Sequence, residues 1–178
     1  MGRVNNVDIG RLERFTEEME QDPAKAKKTQ IIEGDWILEE GGAQFKASIT
    51  YENGKAIFES DQPTNLGGGG TLPGPMHYCF FGLASCYTST FAAMASMMGI
   101  KLEKLSCRVE ADVNFSKVFG LSEEPTMEGV RVTLQVKSDA SEEKLKEVEQ
   151  LAFHRCPVVF TLTHPIPLKT EIKNAEEK

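Results

Sequence analysis

The chain has 178 residues, of which 40% are hydrophobic and 26% are charged, and its formal net charge is −7 at pH 7. This size and composition are typical of a single globular domain with a substantial core. The negative charge disfavours binding to nucleic acid or to an anionic membrane, so neither is expected as a partner. Residues 1–15 carry scattered charges and no apolar secretory stretch, which predicts a cytoplasmic protein.

The first third of the chain is predicted to form one short helix and an antiparallel meander. Residues 7–22 have the spacing of an amphipathic helix that ends before Pro23. Asn53-Gly54 predicts a two-residue hairpin turn, because both residues tolerate positive φ. The strand-like segments of the meander are 29–40, 43–52 and 55–60.

Residues 61–75 join this meander to the next helix and contain five glycines. Their composition predicts a flexible connection, and Pro75 suits the first turn of the helix that follows. A phosphate-binding loop is the alternative interpretation of the glycines. It is disfavoured because the Gly-Lys-Ser/Thr ending and a strand–loop–helix context are both missing.

Residues 76–99 are the most apolar segment and predict a long helix that ends at Gly99. Its length would allow a membrane span, but His77, Tyr87 and the run Thr88–Thr90 are polar, and no basic cluster lies near its start. We therefore expect the buried spine of a globular protein or of a dimer.

The remaining segments predict two strands, a helix, a short helix and a last strand. Residues 101–115 and 128–138 alternate with period two, and 116–127 is a loop between them. Ser141 is expected to cap a helix over 142–155. Strands, a long helix, strands, a helix and a strand indicate an α+β fold in which antiparallel sheet wraps a buried helix.

The four cysteines are Cys79, Cys86, Cys107 and Cys156. They form no C-x-x-C pair, and the chain has only three histidines, so no metal site is expected. Cys79 lies two helical turns before Cys86, about 10 Å away and too far for a disulfide. Cys107 has the inward position of a core residue in its strand.

Two of these cysteines have contrasting predicted surroundings. A short helix starting at Pro157 would put Cys156 at its N-cap beside Arg155 and His154, where positive charge favours a thiolate. The alternative is a half-buried cysteine that merely starts a turn. Cys86 lies in the middle of an apolar helix, which raises a thiol pKa, so a reactive Cys86 needs a base or cation from elsewhere in the fold.

Two segments together resemble the OsmC/Ohr family of osmotically inducible and organic-hydroperoxide-resistance proteins. Residues 66–112 have its Gly-rich loop, its proline opening a long apolar helix, Gly82 four positions before a cysteine, and a glycine that ends the helix. Residues 156–172 resemble its second cysteine segment, with Cys-Pro before a short helix and a last strand. The similarity runs from about Thr29 to Lys173.

The resemblance implies an intertwined α+β homodimer that reduces hydroperoxides, with roles in the oxidative stress response. Cys86 would be the peroxidatic thiol that becomes a sulfenic acid, and Cys156 the resolving thiol that forms a disulfide. An external dithiol, in the family often a lipoylated protein or a small thiol, would then reduce the enzyme. No metal or flavin cofactor is implied.

The sequence departs from well-studied peroxidase members of the family in two places. Met76 stands where they carry a glutamate, and no arginine occurs between Arg14 and Arg108 to match their early-strand arginine. Lys46, His77 and Arg155 are the candidate substitutes for these charges, although a lysine lacks the planar fork of arginine. The alternative for His77 is a helix-start residue that faces solvent or a dimer rim.

A second hypothesis is a non-catalytic or redox-sensing dimer that binds a small hydrophobic ligand. Its pocket would be lined by residues that could equally be core, namely Phe80, Phe81, Met94, Met97 and Met98. Either function would reside in one OsmC-like domain over 27–174, preceded by a helical extension over 1–26. Residues 175–178 are predicted to be a frayed tail.

Overall fold

The structure, a computed structural model that describes residues 2–174, is an α+β fold built along one long helix. In chain order its elements are β1 (Arg3–Val4), β2 (Val7–Asp8), α1 (Ile9–Gln21), β3 (Glu33–Trp36), β4 (Phe45–Tyr51), β5 (Gly54–Ser60), α2 (Pro75–Met97), β6 (Leu102–Glu110), β7 (Arg131–Ser138), α3 (Glu142–Arg155) and α4 (Pro157–Thr163). The predicted tail at 175–178 lies outside the described residues. Within that described part, no helix is both long and apolar enough to cross a membrane.

The core is a contact between α2 and α3 along two matching rows of side chains. On α2 the buried residues recur every fourth position, at Leu83, Tyr87, Phe91 and Ala95. On α3 the same spacing gives a facing row of Val148, Ala152 and, directly after the helix, Cys156, all three fully buried. A four-residue spacing on both helices lets one ridge lie in the groove of the other.

Strands β6 and β7 form an antiparallel ribbon that covers the same helix. Their inward residues alternate as predicted, and Leu105, Val109, Val132 and Leu134 pack against the core. The bounds are shorter than the predicted 101–115, because after Glu110 only a single bridge joins the two chain segments before the loop.

The meander is a separate three-stranded sheet in the order β3-β4-β5. Its hairpin turn lies one residue earlier than predicted: Tyr51 pairs with Gly54, which leaves Glu52 and Asn53 in the turn, without positive φ. At Gly54 the constraint is space and not backbone conformation, because a Cβ there would lie 2.9 Å from the Tyr51 hydroxyl. In the segment 29–40 the ladder covers only β3, and one more backbone bond joins the Ile37 N–H to the Gln44 carbonyl (2.9 Å).

A hairpin that sequence reasoning missed precedes α1. Strands β1 and β2 are joined by Asn5 and Asn6, both with positive φ (51° and 63°), as a two-residue turn between twisted strands requires. The Asn5 amide fastens this hairpin to the end of α2. Its nitrogen donates to Ile100 O (2.8 Å) and Ser96 Oγ (3.0 Å), and its oxygen accepts from the Leu102 N–H (2.8 Å).

The Gly-rich segment is an ordered loop around a buried carboxylate, not the flexible connection that its composition predicts. Asp61 accepts hydrogen bonds from the N–H of Gly69 and from both the N–H and the hydroxyl of Thr71. The Thr71 N–H is the largest cause that keeps the pKa of Asp61 below its ordinary value. The N–H groups of Gly69 and Thr71 therefore bind the Asp61 carboxylate and are not free to bind a phosphate.

The predicted last strand is wrong. Within the described residues no strand follows α4, and 165–174 are exposed and do not pair with any of the three sheets. Pro165 and Pro167 alternate with apolar residues in a strand-like pattern, but each removes a backbone N–H that a ladder would need.

We predict that Asn5→Ala destabilises the fold by about 1–3 kcal/mol more than Asn6→Ala, because it leaves the Leu102 N–H and Ile100 carbonyl without their partner. Asn6 is the matched control, since it has the same left-handed backbone but an exposed side chain whose hydrogen bond, among the described residues, is with Arg3. Urea unfolding of the two variants measures the difference. Equal losses would show that backbone conformation, and not the amide clamp, is what Asn5 contributes.

Candidate functional site

The structure brings together the two cysteines of the predicted site. The Sγ atom of Cys156 lies 3.4 Å from the Sγ atom of Cys86, within hydrogen-bonding distance for sulfur. Cys86 is half-buried in the middle of α2, whereas Cys156 is fully buried at the junction of α3 and α4. Their contact follows from the α2–α3 packing, because the buried row of α3 ends at Cys156. Both cysteines are free thiols.

The first free backbone amide of α4 acts on the sulfur of Cys86, although we expected the start of this helix to act on Cys156. Helix α4 begins at Pro157 with Cys156 as its N-cap, as predicted, but the Cys156 side chain makes no capping hydrogen bond. The backbone N–H of Val158 instead acts on the Cys86 sulfur, where it lowers the pKa of the thiol. A signal for this donor was present in the sequence: proline has no N–H, so Val158 supplies the first free amide of the helix.

The surroundings of Cys86 nevertheless raise the pKa of its thiol above the ordinary value. Burial is the largest cause, since it disfavours the charged thiolate. The Val158 N–H opposes this effect, and the neighbouring Cys156 thiol adds to the increase. The groups described in this chain therefore keep Cys86 mostly protonated at neutral pH.

Each of the three candidate supporting residues has another partner. Lys46 on β4 forms an ion pair with Glu59 (2.8 Å) on the neighbouring strand. His77 is exposed in the first turn of α2, where its Nδ1 accepts from the N–H of Gly74, so it follows the helix-start alternative. The Arg155 guanidinium lies 3.3 Å from the sulfur of Met94, two helical turns beyond Cys86.

The other cysteines lie apart from this pair. Cys79 is exposed on α2, and Cys107 is half-buried on β6 rather than fully in the core. Within the described residues, no group of three or more His, Cys, Asp or Glu side chains is arranged to hold a metal ion.

The apolar residues proposed for a ligand pocket separate into two groups. Met94 and Met98 pack against the core, whereas Phe80 is half-buried outside that cluster and Phe81 and Met97 are more than half exposed. Phe81 borders a cleft of about 600 Å³ between the start of α2 and the β3-β4-β5 sheet. The five residues therefore do not enclose one pocket within this chain.

Sequence reasoning also missed the surroundings of Tyr87, the residue after Cys86. Its side chain is buried, and its pKa is raised to about 12, first by burial and then by the nearby Glu149 carboxylate and the Cys156 and Cys107 thiols. The phenol is thus a protonated hydrogen-bond donor at any physiological pH. Only the packing of α2 on α3 brings Glu149 close to it.

Comparison with known proteins identifies the fold. The family model described as OsmC-like protein matches residues 68–171. The structure is similar to an OsmC-like protein from Mycoplasma pneumoniae, with 20% identity and a TM-score of 0.56 over 77% of this chain and 89% of that one. No curated protein sequence matches the chain.

Two further similar structures carry names that refer to hydroperoxides. An organic hydroperoxide resistance protein OsmC from Legionella pneumophila has 20% identity and a TM-score of 0.54, covering 76% of this chain and 89% of that one. One from Elizabethkingia anophelis, with thiocyanate bound, has 19% identity and a TM-score of 0.51, covering 75% and 88%. At these identities the likeness shows the shared fold alone.

We predict that Cys86 reacts slowly with iodoacetamide at neutral pH and that its rate rises steeply only near and above pH 9.0, the ordinary thiol pKa, because the thiolate is the reacting form. In Cys156→Ala the profile is expected to shift to lower pH, since a neighbour that raises the pKa is gone while the Val158 N–H remains. Peptide-resolved mass spectrometry over a pH series measures both. A wild-type midpoint below 9.0, or a variant that does not shift, would contradict the assigned causes.

Proposed function

Because the chain belongs to the OsmC family, we propose that it reduces organic hydroperoxides with the thiols of Cys86 and Cys156. The observation that carries the proposal is the 3.4 Å approach of the two sulfurs, which are 70 positions apart in the sequence. The names of the organic hydroperoxide resistance proteins that share its fold support this choice of substrate. Half-burial of Cys86 and full burial of Cys156 support the order in which they act.

In the first step the Cys86 thiolate attacks the terminal oxygen of the hydroperoxide. The O–O bond breaks, an S–O bond forms, and the alkoxide leaves with a proton from solvent as the alcohol. Cys86 is then a sulfenic acid, oxidised by two electrons, and the peroxide is reduced by the same two. The Val158 N–H favours this step because it stabilises negative charge on the attacking sulfur.

In the second step the Cys156 thiol attacks the Cys86 sulfenic sulfur. A disulfide forms, and the hydroxyl group leaves as water with the Cys156 proton. The sulfurs are already in contact, so closing the bond to the usual length of about 2.05 Å needs a movement of only about 1.4 Å. An external dithiol then exchanges with the disulfide and restores both thiols. No metal or flavin has a role in this proposal.

The raised pKa of Cys86 determines the pH dependence of this reaction. Only the thiolate attacks, so the rate constant for oxidation is expected to increase as pH rises from neutral toward the Cys86 pKa. A second consequence is that the reaction at neutral pH would be slow unless another copy of the chain brings a cation to the sulfur.

We also propose that the working form is a homodimer. The chain exposes 14173 Å², whereas a folded monomer of its mass would expose about 8,600 Å², an excess of about 5,600 Å². Obligate interfaces remove about 2,000–5,000 Å² in total from the two partners, and the excess of one chain is more than its half of such an interface. Exposed apolar side chains occur on both sheet and helix surfaces, among them Trp36, Ile57 and Phe81.

The peroxidase proposal is tested by treating the reduced protein with one equivalent of cumene hydroperoxide. We expect two of the four thiols to be lost and a peptide bridged between Cys86 and Cys156, which dihydrolipoamide reverses. Cys156→Ser should stop at a Cys86 sulfenic acid that dimedone traps, and Cys86→Ser should keep its remaining thiols. The measurement is intact mass, thiol titration and peptide mapping.

Cys79→Ser is the matched control, because it removes an exposed thiol from the same helix and is expected to leave the reaction unchanged. Four thiols that survive the peroxide, or oxidation that depends on Cys79, would overturn the two-cysteine mechanism.

The homodimer is tested separately by light scattering on the eluting protein. We expect twice the 19.7 kDa mass of one chain at micromolar concentration. A monomer mass would refute the dimer without deciding the chemistry of the thiols.

The second candidate function is a non-catalytic or redox-sensing protein that binds a small hydrophobic ligand. It is favoured by one observation: Lys46, His77 and Arg155 all have partners other than Cys86. The same peroxide experiment separates the two functions. A folded dimer whose Cys86 is inert would support this alternative.

A further inference from the structure

A second cleft, of about 530 Å³, lies between α2, α3, α4 and the start of β7. Its volume is within the range of small-molecule sites. Most of its wall is apolar and is formed by Leu83, Met127, Val130, Val132, Phe153, Val159 and Leu162. Cys86 and Cys156 are not among its lining residues, so this cleft is distinct from the contact between the two sulfurs.

The charged groups of the cleft have one sign. Glu128 lies on the segment that leads into β7, and Glu149 lies on α3 close to the Tyr87 phenol at the floor. None of the lining residues that the structure describes is a lysine, an arginine or a histidine. Neither carboxylate forms a salt bridge among the described residues. The cation near Glu149 is Lys146, which lies outside the cleft and is paired with Glu142, and Glu149 contributes only the smaller part of the increase in the pKa of Lys146. An anionic guest would be repelled here, and a cationic one would be attracted.

We propose that this cleft binds a small amphiphile with an alkyl or aryl body and a protonated amine head. The body would lie on the apolar wall, where its burial supplies most of the affinity. The ammonium group would lie between Glu128 and Glu149. The site is independent of the proposed peroxidase reaction.

The choice of an amine over other guests rests on charge complementarity. A neutral molecule of the same length would gain the apolar contacts but not the attraction to the two carboxylates. A carboxylic acid would gain the same contacts and would be opposed by both charges. The cleft should therefore rank three guests of equal length by their head group alone.

The test titrates the full-length protein with octylamine, octanol and octanoate at low salt by isothermal titration calorimetry. We expect octylamine to bind at least tenfold more tightly than octanoate, with octanol between them, because each carboxylate contributes about two- to fivefold in each direction at a partly exposed site. The preference should shrink as salt is added, since exposed charges are screened.

Two variants assign the preference to this cleft. Glu149→Gln should weaken octylamine by about two- to fivefold, strengthen octanoate by a similar factor and leave octanol unchanged. Glu147→Gln is the matched control, because it removes an equal charge from the opposite side of the same helix and lies outside the cleft. Thermal unfolding of each variant verifies that it is folded.

Equal binding of octylamine and octanoate, or an equal effect of the two variants, would overturn the proposal. The absence of binding by all three probes would also overturn it. Neither result would bear on the oxidation of Cys86 by peroxide, so the two proposals fail separately.

Discussion

The packing of α2 against α3 is the constraint on which the rest of the structure depends. Both helices bury a residue every fourth position, and small or branched side chains at Ala95, Val148 and Ala152 let them approach closely. The α3 row ends at Cys156, so the register that fills the core also sets Cys156 against Cys86. The contact of the two sulfurs is thus a consequence of core packing.

The chemistry of this contact reflects its position in the core. Burial and a second thiol both oppose ionisation of Cys86, and one backbone amide at the start of α4 favours it. A helix end can supply partial charge without a charged side chain, which makes it a different solution from a guanidinium beside the sulfur. The two thiols are in contact, while Lys46, His77 and Arg155 have partners other than Cys86.

Much of the fold could be predicted from local sequence, and the exceptions have physical causes. Pro75 and Gly99 bracket α2, and Ser141 caps α3, because these signals act within one or two turns of chain. The Asn5–Asn6 turn was missed because the familiar hairpin signal is asparagine followed by glycine. Asn53-Gly54 has that signal, but the turn there consists of Glu52 and Asn53 and has no residue with positive φ. The approach of Val158 to Cys86 could not be predicted, because it joins residues that meet only through the packing of three helices. For the same reason, no spacing in the sequence places Glu149 beside Tyr87.

The loop around Asp61 affects the susceptibility of this protein to proteolysis. Runs of glycine are usually open to cleavage, because exposed loops of small residues are the segments of backbone that proteases reach most easily. Here the amides of Gly69 and Thr71 are held by a buried carboxylate, and a Cβ at Gly68 would lie 2.6 Å from that carboxylate. Drawing the loop out would require breaking these bonds and releasing the first turn of α2. The four-glycine run is therefore a poor place for nicking or for inserting a reporter, although its composition suggests the opposite.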